Sequence, residues 1–184
     1  MTNLDSGAGR DFLNRCRCVY SQEGALALPG FLDAEVLPEL IAEAEAGAVQ
    51  SRPFCHHFQF GTGTSTESYD LESLPGDDPR RFLSRTSLTF VGEHLIPTNS
   101  FLRRLHHWPP LLDFIAKILE LPALYRRCDG LSGINYTVMG EGDEQSWHFD
   151  EAHFITSILL RPAIKGGQFE YVRGLRDDEG DDLE

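Results

Sequence analysis

Apolar residues recur at helical spacing through the first two thirds of the chain and switch to alternation in the last third. Val36, Leu37, Leu40, Ile41 and Ala44 form one stripe of a helix predicted to run from an Asp33 cap to about Val49. Pro38 is tolerable near its first turn, where amides lack intrahelical partners. Thr98, Asn99 and Ser100 offer a cap for a helix carrying Phe101, Leu102 and Leu105. Pro109 and Pro110 break that helix and open another, with Leu111, Phe114, Ile115, Ile118 and Leu119 at helical spacing.

From Leu131 the period becomes two. Ile134, Tyr136 and Val138 face one way, and Asn135, Thr137 and Met139 the other. GEGDEQ (140–145) reads as a polar turn, and FITSILL (154–160) as a strand buried on both faces. Residues 162–167 turn the chain into a further strand at 168–172. Earlier, GALALPGF (24–31) predicts a short strand and a Pro-Gly turn. Residues 52–79 predict a loop long enough to act as a lid, holding His56, His57, Phe54, Phe58, Phe60 and Tyr69. Residues 1–18 are polar and mixed, and are expected to be loose. Helices followed by a β-rich half define an α+β class.

Composition narrows the function. A chain of 184 residues, 41% hydrophobic with 12 phenylalanines, suits one folded domain. A formal charge of -13 argues against nucleic acid and anionic membranes as partners. Six acids fall in the last eight residues, DDEGDDLE, which leaves the remainder at -7. No apolar run reaches the roughly 20 residues of a membrane span. The N-terminus has no apolar core of a signal peptide, so the expected compartment is the cytoplasm. Cys16, Cys18, Cys55 and Cys128 show no paired zinc-finger spacing and read as reduced, structurally incidental thiols.

The candidate chemistry lies in SWHFDEAHF (146–154). On a strand, His148 and Asp150 share a face and can reach one ion. The same pair can also be a salt bridge or a hydrogen-bonded core pair. As ligands, imidazole and carboxylate on one face suit the 2-His-1-carboxylate set of non-haem Fe(II) oxygenases. A strand before the pair, an apolar strand after it and a Gly-Gly turn to another strand fit successive staves of a small antiparallel barrel.

GINYTVMGEGDEQSWHFDEAHFITSILLRPAIKGGQFEYVRGLR resembles the core of the iron- and 2-oxoglutarate-dependent oxygenases. It is most similar to the branch of amino-acid hydroxylases and radical halogenases, with a WHFD-type motif, a LLL strand and a GGxFEYVxxxR segment. The similarity is dense over 131–176 and extends upstream through SFLRRLHHWPPLLDFIAKILELPALYRRCDGLSG. It implies a double-stranded β-helix, or jelly roll, with N-terminal helices on its outer sheet. It also implies that His148 and Asp150 bind Fe(II), that Asn135 binds the end of 2-oxoglutarate nearest the metal, and that Trp147, Phe149 and Tyr171 line the substrate cavity. O2 is the second co-substrate, and 2-oxoglutarate leaves as succinate and CO2. Halogenating members carry a small residue where Asp150 stands, so hydroxylation of a small polar substrate, a free amino acid, is expected.

The family's second histidine and a basic residue for the distal carboxylate come from strands beyond the GGxFEYV segment. The expectation is therefore a single domain over 1–184 that is C-terminally incomplete. Residues 1–18 are loose, 19–130 give helical support and a lid, 131–176 the barrel strands and 177–184 an acidic tail. An incomplete barrel exposes edges that a homodimer or the soluble tail would have to offset. Two alternatives stand beside the enzyme: a truncated, non-catalytic remnant acting as a binding module, and a metal-binding barrel without oxoglutarate chemistry. His153, five residues from His148, reads as facing away; His56–His57 and His106–His107 read as polar surface. Phe169 is expected in the core, and Arg173 and Arg176 as solvated charges beside the tail.

Overall fold

The computed structural model describes residues 3–59, 72–78, 81, 83–127, 133–148, 152 and 154–174. Helices α1 (Gly7–Glu23), α2 (Leu37–Gln50), α3 (Phe101–His106) and α4 (Pro109–Ile118) accompany strands β1 (Pro53–Gln59), β2 (Leu83–Gly92) and β3 (Asn135–Val138). Two compact units emerge, one from 1–40 with 92–134 and one from 41–91 with 135–184. Among the described residues no helix is long and apolar enough to cross a membrane.

The first unit is built on α1 and α4. Ser6 caps α1 by accepting from Gly9 N at 3.0 Å, and Gly24 ends it at φ 70°, a left-handed conformation that glycine adopts without a Cβ clash. Leu13 and Cys16 of α1 and Phe114 and Ile118 of α4 form the buried cluster, with Phe12, Tyr20 and Ile115 packed around it. The expected loose N-terminus is thus corrected. Residues 13, 16 and 20 share one helical face, and α4 gives that face something to cover. Cys16 is likewise a core residue rather than an incidental thiol. Burial pushes its thiol pKa up, with nearby Arg15 opposing. Cys16, Cys18 and Cys55 are free.

No strand forms at 24–31. Leu26 and Leu28 pack against the helical cluster instead, so their alternation anchors a loop. Ser100 caps α3 through Leu102 N at 3.0 Å, and Pro109 opens α4, both as the spacing predicts. Arg103 joins this region together, donating to Glu93 Oε1 at 2.7 Å, Glu93 O at 2.6 Å and Ile96 O at 3.1 Å.

His106 departs from the polar-surface reading. Its Nδ1 is buried and has no hydrogen-bond partner among the described residues. Burial holds its pKa below the ordinary value, helped by His107 and Arg126 and by Arg103, with Glu93 pulling the other way. The stability consequence has a definite sign. Above the ordinary value of 6.5 the contribution is fully present. As pH falls below it, the unfolded chain takes up a proton that the folded unit resists, so stability is lost. Urea unfolding at pH 7, 6 and 5 should show a shallower decline in His106→Gln than in the unsubstituted protein. Equal slopes would remove His106 as the cause.

The second unit holds a three-stranded antiparallel sheet in the order β1-β2-β3. Pro53 pairs with Thr89 and Gln59 with Leu83, so β1 begins on a proline, which an edge strand tolerates. The front of the expected lid, residues 53–59, is therefore a strand, because β2 supplies it a ladder. Residues 60–71, with Phe60 and Tyr69, lie outside the described residues. Along β3 the alternation holds: Tyr136 is buried while Asn135 and Thr137 are exposed. Tyr136 donates to Glu43 Oε2 of α2 at 2.7 Å. Gly47 of α2 lies so close to Val91 that a Cβ would come within 2.3 Å of its Cγ1. A glycine there lets the helix approach the strand.

The two expected strands after the motif are corrected. Neither 154–160 nor 168–172 is paired as a strand. Ile155 is 57% exposed, Leu159 77% and Phe169 84%, so neither the two-sided burial nor a core role for Phe169 holds. A β-branched run becomes a strand only when a neighbouring backbone takes its N–H and C=O groups.

Candidate functional site

The site region is built outward from β2. Residues 140–143 make a turn in which Asp143 Oδ2 accepts from Gly140 N at 2.8 Å and Gly142 sits at φ 78°. That N–H, the Ser87 hydroxyl and Arg85 hold the Asp143 carboxyl below the usual carboxylate range, against a small opposing effect of burial. Beyond the turn, Ser87 N donates to Glu144 O at 2.7 Å and Glu144 N to Ser87 Oγ at 3.2 Å, an isolated antiparallel bridge. Arg85 Nη1 donates to Gly142 O at 3.1 Å and to Glu144 Oε1 at 3.2 Å. Two residues on, Thr86 Oγ1 accepts from Ser146 N at 3.3 Å and shares a 2.9 Å hydrogen bond with Ser146 Oγ.

His148 follows this bridge on an unpaired stretch, not on a strand. The i, i+2 geometry expected for His148 and Asp150 therefore does not come from a pleat at His148, and Asp150 and Phe149 lie outside the described residues. The imidazole is oriented locally. Its Nδ1 stands 2.7 Å from Ser146 O, and Gln145 Nε2 is 3.4 Å from its Nε2. A carbonyl can only accept, so Nδ1 carries the proton, and in the neutral ring Nε2 then keeps its lone pair. Metal-bound imidazoles take that form, donating one ring N–H to a carbonyl and ligating through the other nitrogen.

The other expected site residues are distributed over the second unit. Asn135 is exposed on β3, as the alternation predicts. Trp147 is 50% exposed and Tyr171 48%, so both stand half in solvent rather than enclosed as cavity walls. Tyr171 lies beside Phe169, ring centroids 6.2 Å apart. Among the described residues no three His, Cys, Asp or Glu side chains converge on one point. His107 accepts from Arg126 Nη1 at 2.6 Å. His153 and Cys128 lie outside the described residues, as do Arg176 and the acidic tail.

Sequence reasoning missed β2 and, with it, the hydroxyls of Thr86 and Ser87. The run TSLTFV carried a β-branched and aromatic signal, but its pairing with residues 144–146 spans roughly 60 positions and no local pattern reveals it. No family model, no curated protein and no solved structure matches the chain.

Proposed function

We propose that the chain is an Fe(II)- and 2-oxoglutarate-dependent dioxygenase that hydroxylates a small polar substrate, with a free amino acid as the class. One observation supports this most: in a WHFD motif followed by GGQFEYVRGLR, the His148 ring donates from Nδ1 to a backbone carbonyl, which makes Nε2 the lone-pair nitrogen of the neutral ring. On this reading the chain has a jelly-roll core, His148 and Asp150 hold the iron, and Asn135 holds the near end of 2-oxoglutarate. Bound iron with 2-oxoglutarate and O2 supplies the oxidant. The chain's own residues have three tasks: ligation through His148 and Asp150, orientation of the co-substrate by Asn135, and contact with the substrate by Trp147 and Tyr171. The Asp150 carboxylate fills the position a halide would need, which favours hydroxylation. Free Cys16, Cys18 and Cys55 suit work in a reducing cytoplasm. The substrate is a small molecule, and a homodimer would cover exposed apolar surface.

A binding module is the second reading. The exposure of Ile155, Leu159, Ile164 and Phe169 on one stretch of the second unit favours it, since such side chains serve a macromolecular partner as readily as a barrel. Anaerobic addition of Fe(II) and 2-oxoglutarate should produce a weak visible charge-transfer band, and aerobic incubation with a panel of free amino acids should release succinate. Absence of both signals would sink the enzyme and leave the module.

A further inference from the structure

We propose that Thr86 of β2 is the positioning residue of this site, fixing the tautomer and direction of the His148 ring through Ser146. The role of the ring as a metal ligand rests on the reading above; the chain of hydrogen bonds does not. Thr86 Oγ1 takes the Ser146 N–H at 3.3 Å and pairs with its hydroxyl at 2.9 Å. The bridge between Ser87 and Glu144 ties the same segment two residues earlier. With its amide and its side chain both held, Ser146 keeps little freedom in its own dihedrals. Its carbonyl is thereby aimed at His148 Nδ1, 2.7 Å away.

That acceptor matters because a free neutral imidazole in water prefers its proton on Nε2. A carbonyl facing Nδ1 reverses the preference and turns the Nε2 lone pair outward. Gln145, one residue before Ser146, already donates into that position at 3.4 Å. Strand β2 is the middle strand of the sheet, and β1 pairs with it from Leu83 to Thr89, so the Thr86 hydroxyl sits on a stiff support. The device converts sheet rigidity into ligand orientation without Thr86 touching the metal.

The test uses the full chain labelled with 15N-histidine, read by long-range nitrogen–proton spectra at about pH 8, where an ordinary histidine ring is neutral. The His148 signal is assigned by its loss in His148→Gln. The unsubstituted protein should show His148 mainly as the Nδ1–H form. Thr86→Val, which keeps the branched shape but removes the hydroxyl, should shift it mainly to Nε2–H. Thr86→Ser should restore Nδ1–H. Co(II) alone, followed by its visible absorption, should bind about 10–100-fold more weakly to Thr86→Val and near normally to Thr86→Ser. An Nε2–H ring in the unsubstituted protein, or an Nδ1–H ring that persists in a folded Thr86→Val, overturns the inference. Should Thr86→Val fail to fold, the unsubstituted spectrum and Ser146→Ala, which removes the 2.9 Å partner, decide it in the same way. A tautomer that follows Thr86 in a protein binding neither Co(II) nor Fe(II) keeps the positioning and ends the iron reading. Tight metal binding with a tautomer indifferent to Thr86 does the reverse.

Discussion

Phe114→Ala is expected to lower the free energy of unfolding by about 3–5 kcal/mol, the range for removing a buried aromatic ring from a packed core. Phe114 is 4% exposed and shares its cluster with Leu13, Cys16 and Ile118. Its ring also stacks on Phe12, centroids 5.9 Å apart and planes 13° from parallel, which adds about 0.5–1.5 kcal/mol beyond burial. The lost ring leaves α1 without its main partner on α4, so the N-terminal helix should fray before the rest melts. Urea unfolding followed by far-ultraviolet circular dichroism measures the loss. Phe114→Leu, which retains most of the volume, should cost about 1–1.5 kcal/mol. A loss below about 1 kcal/mol for the alanine variant would mean that α1 is not packed on α4, and the loose N-terminus expected from its polar sequence would return.

His148→Ala should have the opposite profile, with function lost and stability kept. The ring is exposed, and both Ser146 and Gln145, to which it bonds, are close neighbours in the chain. Its removal should change the unfolding free energy by no more than about 0.5 kcal/mol, as for surface sites generally. If His148 ligates the metal as proposed, metal binding should fall by more than the about 10–100-fold that accompanies loss of an outer partner, because a ligand itself would be gone. The charge-transfer band and succinate release should vanish together. Asp150→Gly should also lose hydroxylation, and by opening one coordination position it should admit chloride. Calorimetric metal titration beside urea unfolding separates the outcomes. A variant that loses about 1–3 kcal/mol, with no metal bound before or after, would make His148 a structural hydrogen-bond donor and nothing more.

How much of this was legible in the chain depends on how far each feature reaches. The cap of α3, the proline start of α4, the stripe of α2, the alternation along β3 and the turn at 140–143 lie within windows of a few residues, and each is where its local chemistry predicts. Ser100 caps because its hydroxyl meets an amide two residues on. Tyr136 points inward because its neighbours in the period are polar. The motif around His148 was equally local, and its ring does meet a backbone carbonyl two residues away.

Features that need a distant partner were misread. α1 looked polar because its apolar face is narrow, and only α4, about 100 residues later, makes that face worth burying. β1 looked like a lid because its ladder comes from β2, across the residues between them. FITSILL looked like a buried strand because its side chains suit one, yet strand propensity does not supply the backbone partner on which a strand depends. His106 looked like surface, and its burial arises from tertiary packing. The sequence by itself determined α2, α3 and α4, the period of β3, the local turn and the residue types on offer at His148. Tertiary structure alone decided which strands exist and which hydroxyl holds the His148 loop. Caps, turns and periodicity are energies between near neighbours, whereas ladders and cores are energies between segments that only folding brings together.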